Sequence, residues 1–220
     1  MYIRRNLRRE WRLFLFQMKN IRSVLWVPAA VEFLLIPWML VLTMKKYEDL
    51  WYVEDTFRLM TQYLVPVLST WWMSFGFIEI TEGDGNELHY VNHRMKDNLV
   101  LLWLGAYLLM TALGCGAASL WLGNAWMELL RMAICSCFYV GMAYAVMFLS
   151  GSMTATFLVV AIYWMASIFG GNFPVAVLNC YDGLGMSIEL LSGKYVYIML
   201  AAIALYALGC AANKRKERYV

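Results

Sequence analysis

Glu32 is the only ionisable residue between Val24 and Met44. A carboxylate inside an apolar helix is costly and needs a partner, a proton or water. It lies about 12 Å along that helix from Val24, at 1.5 Å per residue. Pro28 and Pro37 flank it and can bend the helix. Two roles fit. Either Glu32 lines a substrate path or a dimer interface, or it is a structural hydrogen-bond partner in a helix whose membrane part starts later.

A second group of polar residues fills the segment 79–98. Its order is Glu79, Glu82, Gly83, Asp84, Gly85, Asn86, Glu87, His89, Asn92, His93, Arg94, Lys96, Asp97 and Asn98. Gly83 and Gly85 allow a sharp turn. Asn86 can cap a short helix from Glu87 to Lys96. Its acidic residues lie toward the N-terminal end and its basic residues toward the C-terminal end, as a helix dipole favours. The segment therefore reads as a surface helix that docks on a partner, or as a solvated loop. His89 and His93 stand four apart beside Glu87, a spacing that can bind a metal. No third ligand accompanies them, so no metal site is expected.

Familiar catalytic signatures are missing. There is no Gly-x4-Gly-Lys-Ser/Thr phosphate loop, so no ATP hydrolysis by that route. Gly-x-Ser-x-Gly and His-Glu-x-x-His are also absent. The spans carry no nucleophile–base pair and no paired acidic ligands. The chain is not expected to be catalytic by itself or to bind a cofactor.

These residues need elements to position them, and composition says which kind. The 220 residues are 62% hydrophobic and 15% charged, with mean hydropathy +0.58. Soluble domains average about 45–50% apolar and about 25% charged residues. Disorder is excluded, and lipid is the solvent that suits this chain. No charge interrupts the 50 residues between Arg131 and Asp182. One helix of that length would reach about 75 Å, against a hydrocarbon core of about 30 Å. The run must fold back, and Ser150-Gly151-Ser152 is the place.

Six membrane spans are expected, at 24–44, 59–80, 99–122, 132–149, 153–170 and 195–212. Each must be helical, because unpaired backbone in lipid is too costly. The fold class is thus all-α, a polytopic membrane protein. Of the 18 Lys and Arg residues, thirteen fall before the first span, in the 81–98 loop and in the basic tail 214–220. Lys45, Lys46, Arg58, Arg131 and Lys194 fall on the other side. The richer side is cytoplasmic by the positive-inside rule, which puts both termini there. Glu128 and Arg131, three apart, are expected to pair. Ala112/Gly116 and Gly114/Ala118 allow close helix packing. Cys115, Cys135, Cys137, Cys180 and Cys210 read as small apolar core residues.

Residues 1–22 precede the first span. Ile3, Leu7, Trp11, Phe14, Leu15 and Met18 share one helical face, and Arg5, Arg8, Arg9, Arg12 and Lys19 another. That pattern suits an amphipathic helix lying in the membrane interface. It does not read as a cleavable signal peptide.

Three of these features together resemble the permease subunit of bacterial type-two ABC exporters, the class that includes lantibiotic-immunity and drug-export permeases. They are the basic interfacial helix within Tyr2 to Arg22, the six spans with both ends inside, and the acidic Gly-containing segment Glu79-x-x-Glu82-Gly83-x-x-x-Glu87-Leu88. The resemblance covers the whole chain as architecture. A commoner family form runs Glu-x-x-x-Gly-Thr-x-Glu; here Asp84 stands at the Thr position, Glu87 falls one residue late, and no Pro follows near Met95.

The resemblance implies that Glu79, Glu82, Gly83, Asp84, Glu87, His89 and Arg94 form a coupling element on a separate ATPase, which would hold the ATP and Mg. It also implies a second copy or homologous permease as partner, and a short external re-entrant segment at 171–193. The function implied is export of an apolar or amphipathic substrate, such as a peptide, drug or lipid-like compound. The setting is a bacterial plasma membrane, with membrane lipid and no nucleic acid as a partner; antibiotic or bacteriocin resistance would follow. Other classes remain: a substrate-binding membrane subunit of an energy-coupled vitamin importer, or a non-transport membrane scaffold. Neither accounts for both the amphipathic N-terminus and the acidic loop.

Overall fold

The computed structural model describes residues 2–21, 23–82, 96–123, 125–169, 176–182 and 185–217. These residues are helical nearly throughout, with no strand among them. α1 is Tyr2–Asn20, α2 is Trp26–Tyr47, α3 is Leu50–Tyr63 and α4 is Val65–Thr81. α5 is Lys96–Ala118, α6 is Ala125–Ser150 and α7 is Met153–Phe169. α8 is Val196–Glu217, led in by Ile188–Leu190 and a wide π turn over Leu191–Tyr195.

Four of these helical stretches are long and apolar enough to cross a membrane: Trp26–Tyr47, Asp97–Ala118, Ala125–Ser150 and Ile188–Arg215. α7 is apolar but has only 17 residues. The expected span 59–80 differs in kind, because it is broken at Leu64 into the end of α3 and all of α4. The physical reason is Pro66, which has no N–H to donate and crowds the preceding turn. The carbonyls at the break find side-chain donors instead. Trp164 Nε1 donates to Tyr63 O at 2.7 Å, and Tyr107 Oη donates to Val65 O at 2.6 Å. The helix beginning expected at Met132 starts seven residues earlier, at Ala125, and takes Glu128 and Arg131 into the bundle.

α6 is the axis. Most of it is buried, whereas α2, α5 and α8 bury a third or less of their apolar stretches. α4, α5, α7 and α8 all pack on it. The outer faces carry exposed large apolar side chains, among them Leu34, Trp38, Leu109, Leu113, Ile162 and Leu200. Water would penalise such a surface, and hydrocarbon would not.

Two tight turns set the helix order. Between α2 and α3, Glu48 takes a left-handed conformation (φ 54°), and Asp49 caps α3 by accepting from Trp51 N at 3.0 Å. Between α6 and α7, Gly151 has φ 70°, at the Ser150-Gly151-Ser152 reversal expected from the sequence.

α6 packs most extensively against α8. A Cβ added to Gly141 would lie 2.9 Å from the Ala202 carbonyl oxygen, and Gly209 lies against the Tyr144 ring. The small residues of α5 do something else. A Cβ at Gly114 would stand 3.8 Å from Glu32 Oε2, an ordinary contact, and one at Gly105 would meet nothing within 4 Å. Gly141→Ala should therefore destabilise the protein by about 1–3 kcal/mol, because the atom it meets is backbone and cannot rotate away. Gly105→Ala should stay within about 0.5 kcal/mol of the parent. Unfolding of the purified chain in detergent reads both.

Candidate functional site

The π turn Val31–Leu35 in α2 is where Glu32 becomes buried. Ile36 N–H reaches back five residues to Val31 O instead of four. Pro37 follows, and its ring would crowd the Phe33 carbonyl in a regular α-turn. The wider turn accommodates it. Such insertions in helices often mark functional sites. Here the turn holds a carboxylate that is 7% exposed.

Thr111 on α5 donates its hydroxyl to Glu32 Oε1 at 3.0 Å. Tyr107, one turn earlier, is also within hydrogen-bond reach of Glu32. Among the described residues, no cation lies within salt-bridge distance of Glu32. Glu32 lines a partly open cavity of 560 Å³ bordered by α2, α3 and α5, with Val65, Trp121, Leu122 and Met132 adding to the wall. Its wall is apolar, with residues such as Ile36, Leu40, Phe57, Cys115 and Met132. The polar exceptions are Glu32, Thr111, Thr61 and Lys45. Thr61 spends its hydroxyl on Phe57 O at 2.8 Å. Lys45 is exposed at the α2–α3 corner.

The acidic segment behaves differently from a free loop at both of its described ends. Residues 83–95, which include Gly83, Asp84, Glu87, His89 and Arg94, lie outside the described residues. So does most of the expected surface helix. Glu79 lies in the last turns of α4. Glu82, just after α4, accepts the Met153 backbone N–H through Oε1. That carboxylate thus caps α7, where a helix N-terminus favours negative charge.

Asp97, in the first turn of α5, does more. Its Oδ1 accepts from Tyr144 Oη on α6 and from Asn213 Nδ2 on α8, the latter at 3.0 Å. Its backbone carbonyl accepts from Tyr206 Oη at 2.9 Å. Next to it, Asn98 Nδ2 donates to Glu10 of α1 at 3.2 Å. α1 is held further by Phe14 against the Trp103 ring (centroids 4.7 Å apart) and by Trp103 Nε1 donating to Gln17 Oε1 at 3.1 Å. Of the residues on the expected apolar face, Phe14 is buried against α5, while Trp11 and Leu15 remain about half exposed. Both ends of the 83–95 segment are therefore tied to the bundle, by Glu82 to α7 and by Asp97 and Asn98 to α1, α6 and α8.

The opposite end of the bundle carries a buried ionic cluster. Arg131, 1% exposed, pairs with Glu128 at 3.4 Å, as its spacing predicted, and also with Asp182 at 3.4 Å. Lys194 reaches Asp182 at 3.5 Å, and Tyr195 Oη donates to it at 2.8 Å. Asp182 belongs to the expected re-entrant stretch 171–193. The described parts of that stretch are fastened to the helices. Tyr163 Oη donates to Leu178 O, Asn179 Nδ2 donates to Ser167 O at 3.3 Å, and Met186 N–H donates to Glu128 Oε1 at 3.2 Å. Residues 171–175, 183 and 184 are outside the described residues.

Sequence reasoning singled out Glu32 but missed Thr111 as its partner, Asp97 as the tie to Tyr144 and Asn213, and Asp182 as a partner of Arg131. Asp97 could have been found, since an acid opening an apolar helix is a dipole signal. Thr111 carried none, because threonine is common in membrane helices.

The class these observations define is an all-helical protein with several helices suited to a membrane, a chamber beside a buried carboxylate, and polar ties at each end. No family model, curated protein or solved structure matches the chain.

Two substitutions test the ties. Arg131→Met leaves Glu128 and Asp182 without their buried cation and should cost about 3–5 kcal/mol in detergent unfolding, whereas Arg58→Gln, which breaks the partly exposed pair with Asp55, should cost under about 1 kcal/mol. Tyr144→Phe removes a hydrogen bond to a carboxylate and should cost about 1.5–3 kcal/mol. It should also raise hydrogen exchange at the start of α5.

Proposed function

We propose that the chain is the membrane permease subunit of an ATP-binding-cassette exporter, working with a separate ATPase subunit and a second permease copy. In this reading six segments cross a bacterial plasma membrane. α3 and α4 together form the second crossing and α7 the fifth. Both termini are cytoplasmic, and α1 lies along the cytoplasmic interface as an amphipathic helix. Residues 79–97 are the coupling element.

The observation that carries the reading is the anchoring of that segment's two ends. A docking loop transmits motion only if its ends are rigidly joined to the spans. Glu82 joins one end to α7, and Asp97 joins the other to α6 and α8. Closure of the ATPases would push the 83–95 segment. The push would pass through these two carboxylates to three helices at once and, through Asn98 and Glu10, to α1. The Arg131–Asp182 cluster would close the far end until the spans rock apart.

The test is a gentle-detergent purification of the tagged chain from native membranes, with mass spectrometry of its partners. An ABC ATPase should be retained by the parent chain. Glu87→Lys should lose it, while Glu82→Gln, which keeps an oxygen for the Met153 N–H, should retain it. Recovery of no ATPase, under conditions that preserve a known transporter complex, would end this reading and turn attention to a vitamin importer's ligand.

A further inference from the structure

The chamber beside Glu32 holds an ionisable group that has no cation within salt-bridge distance among the described residues. Glu32 is 7% exposed, its Oε1 takes a hydrogen bond from Thr111, and its carboxyl lines the cavity beside Gly114. A carboxyl group in such surroundings takes up a proton or gains from a cation brought to it. The matching charge at the other polar spot, Lys45, lies thirteen residues along α2, which is about 20 Å. It is also exposed, so it is screened and does not serve Glu32.

We propose that this cavity binds an amphiphilic monocation. The cationic group lies at Glu32 and Thr111, and the apolar body lies against Ile36, Leu40, Phe57 and Met132. The volume of 560 Å³ falls within the range of small-molecule sites, about 300–1,000 Å³. The wall chemistry follows the usual division, with a mostly apolar surface for affinity and one polar point for orientation. A cation brought there meets the carboxylate in a low-dielectric space, where the attraction is strongest. An anionic amphiphile of the same shape would meet repulsion instead. This proposal concerns the chain alone and does not depend on an ATPase partner, so either reading can fail without the other.

The test uses two probes of matched shape and opposite charge, tetraphenylphosphonium and tetraphenylborate. Binding of each to the full chain in detergent is measured by equilibrium dialysis. Because the two partition differently into detergent, the readout is the change on mutation. Glu32→Gln keeps an acceptor for Thr111 and should weaken the phosphonium by about tenfold or more, with the borate unchanged or tighter. Leu40→Trp narrows the chamber with Glu32 intact and should also weaken the phosphonium. Lys19→Gln, exposed on α1 and away from the chamber, should leave it unaltered. A monodisperse profile on size-exclusion chromatography checks the fold of each variant, and Leu40→Trp serves as the test if Glu32→Gln fails that check. The proposal is overturned if the parent chain does not bind the phosphonium, if Glu32→Gln changes both probes equally or neither, or if Leu40→Trp has no effect.

Discussion

A polar group without water must find its partner inside the protein, and α6 is where this constraint is tightest. The helix is enclosed by α4, α5, α7 and α8, and its long polar side chains find partners on other elements. Arg131 draws in Asp182 and Glu128 at one end. Tyr144 draws in Asp97 at the other. Between them Ser136 offers its backbone carbonyl to the Ser69 hydroxyl of α4. Without these ties a surface of interchangeable leucines and methionines would pack in many registers. With them, the helices have one.

The same constraint explains the distribution of function along the bundle. Polar groups tie both ends of the bundle. Glu32, like Asp97 and Glu82, is held by hydrogen bonds, and it differs from them in lining a cavity. A π turn, a proline and a threonine hold a buried carboxyl group beside a cavity, and the proposed cation site rests on that arrangement. The proposed coupling segment attaches at one end of the bundle and the ionic cluster closes the other. The chamber lies where movement between those ends would be felt.

α3 and α4 show how far sequence pattern carries. Hydropathy located an apolar stretch at 59–80 and its length suggested one helix. Pro66 was visible, but the side chains that hold the break were not, because Trp164 on the Tyr63 carbonyl and Tyr107 on the Val65 carbonyl come from 101 and 42 residues away in the chain. The α6–α7 reversal was legible because a local rule decides it: an uncharged run longer than a bilayer must turn, and Gly151 can take a left-handed conformation. The Glu128–Arg131 pair was legible for the same reason, since helix geometry places residues three apart on one face. Asp182 as their third member was not.

Composition and spacing alone determined that this chain is helical and apolar, where it reverses, and which carboxylate is out of place. These are local or summed properties, and a single sequence contains them. Only the tertiary structure decided that Gly141 rather than the small residues of α5 meets the backbone of a neighbouring helix, that Asp97 joins three helices, and that Glu32 faces a chamber beside Thr111. Each of those depends on which helix lies next to which. In an apolar bundle that choice turns on a few long-range polar pairs and close contacts, and periodicity within any one helix does not encode them.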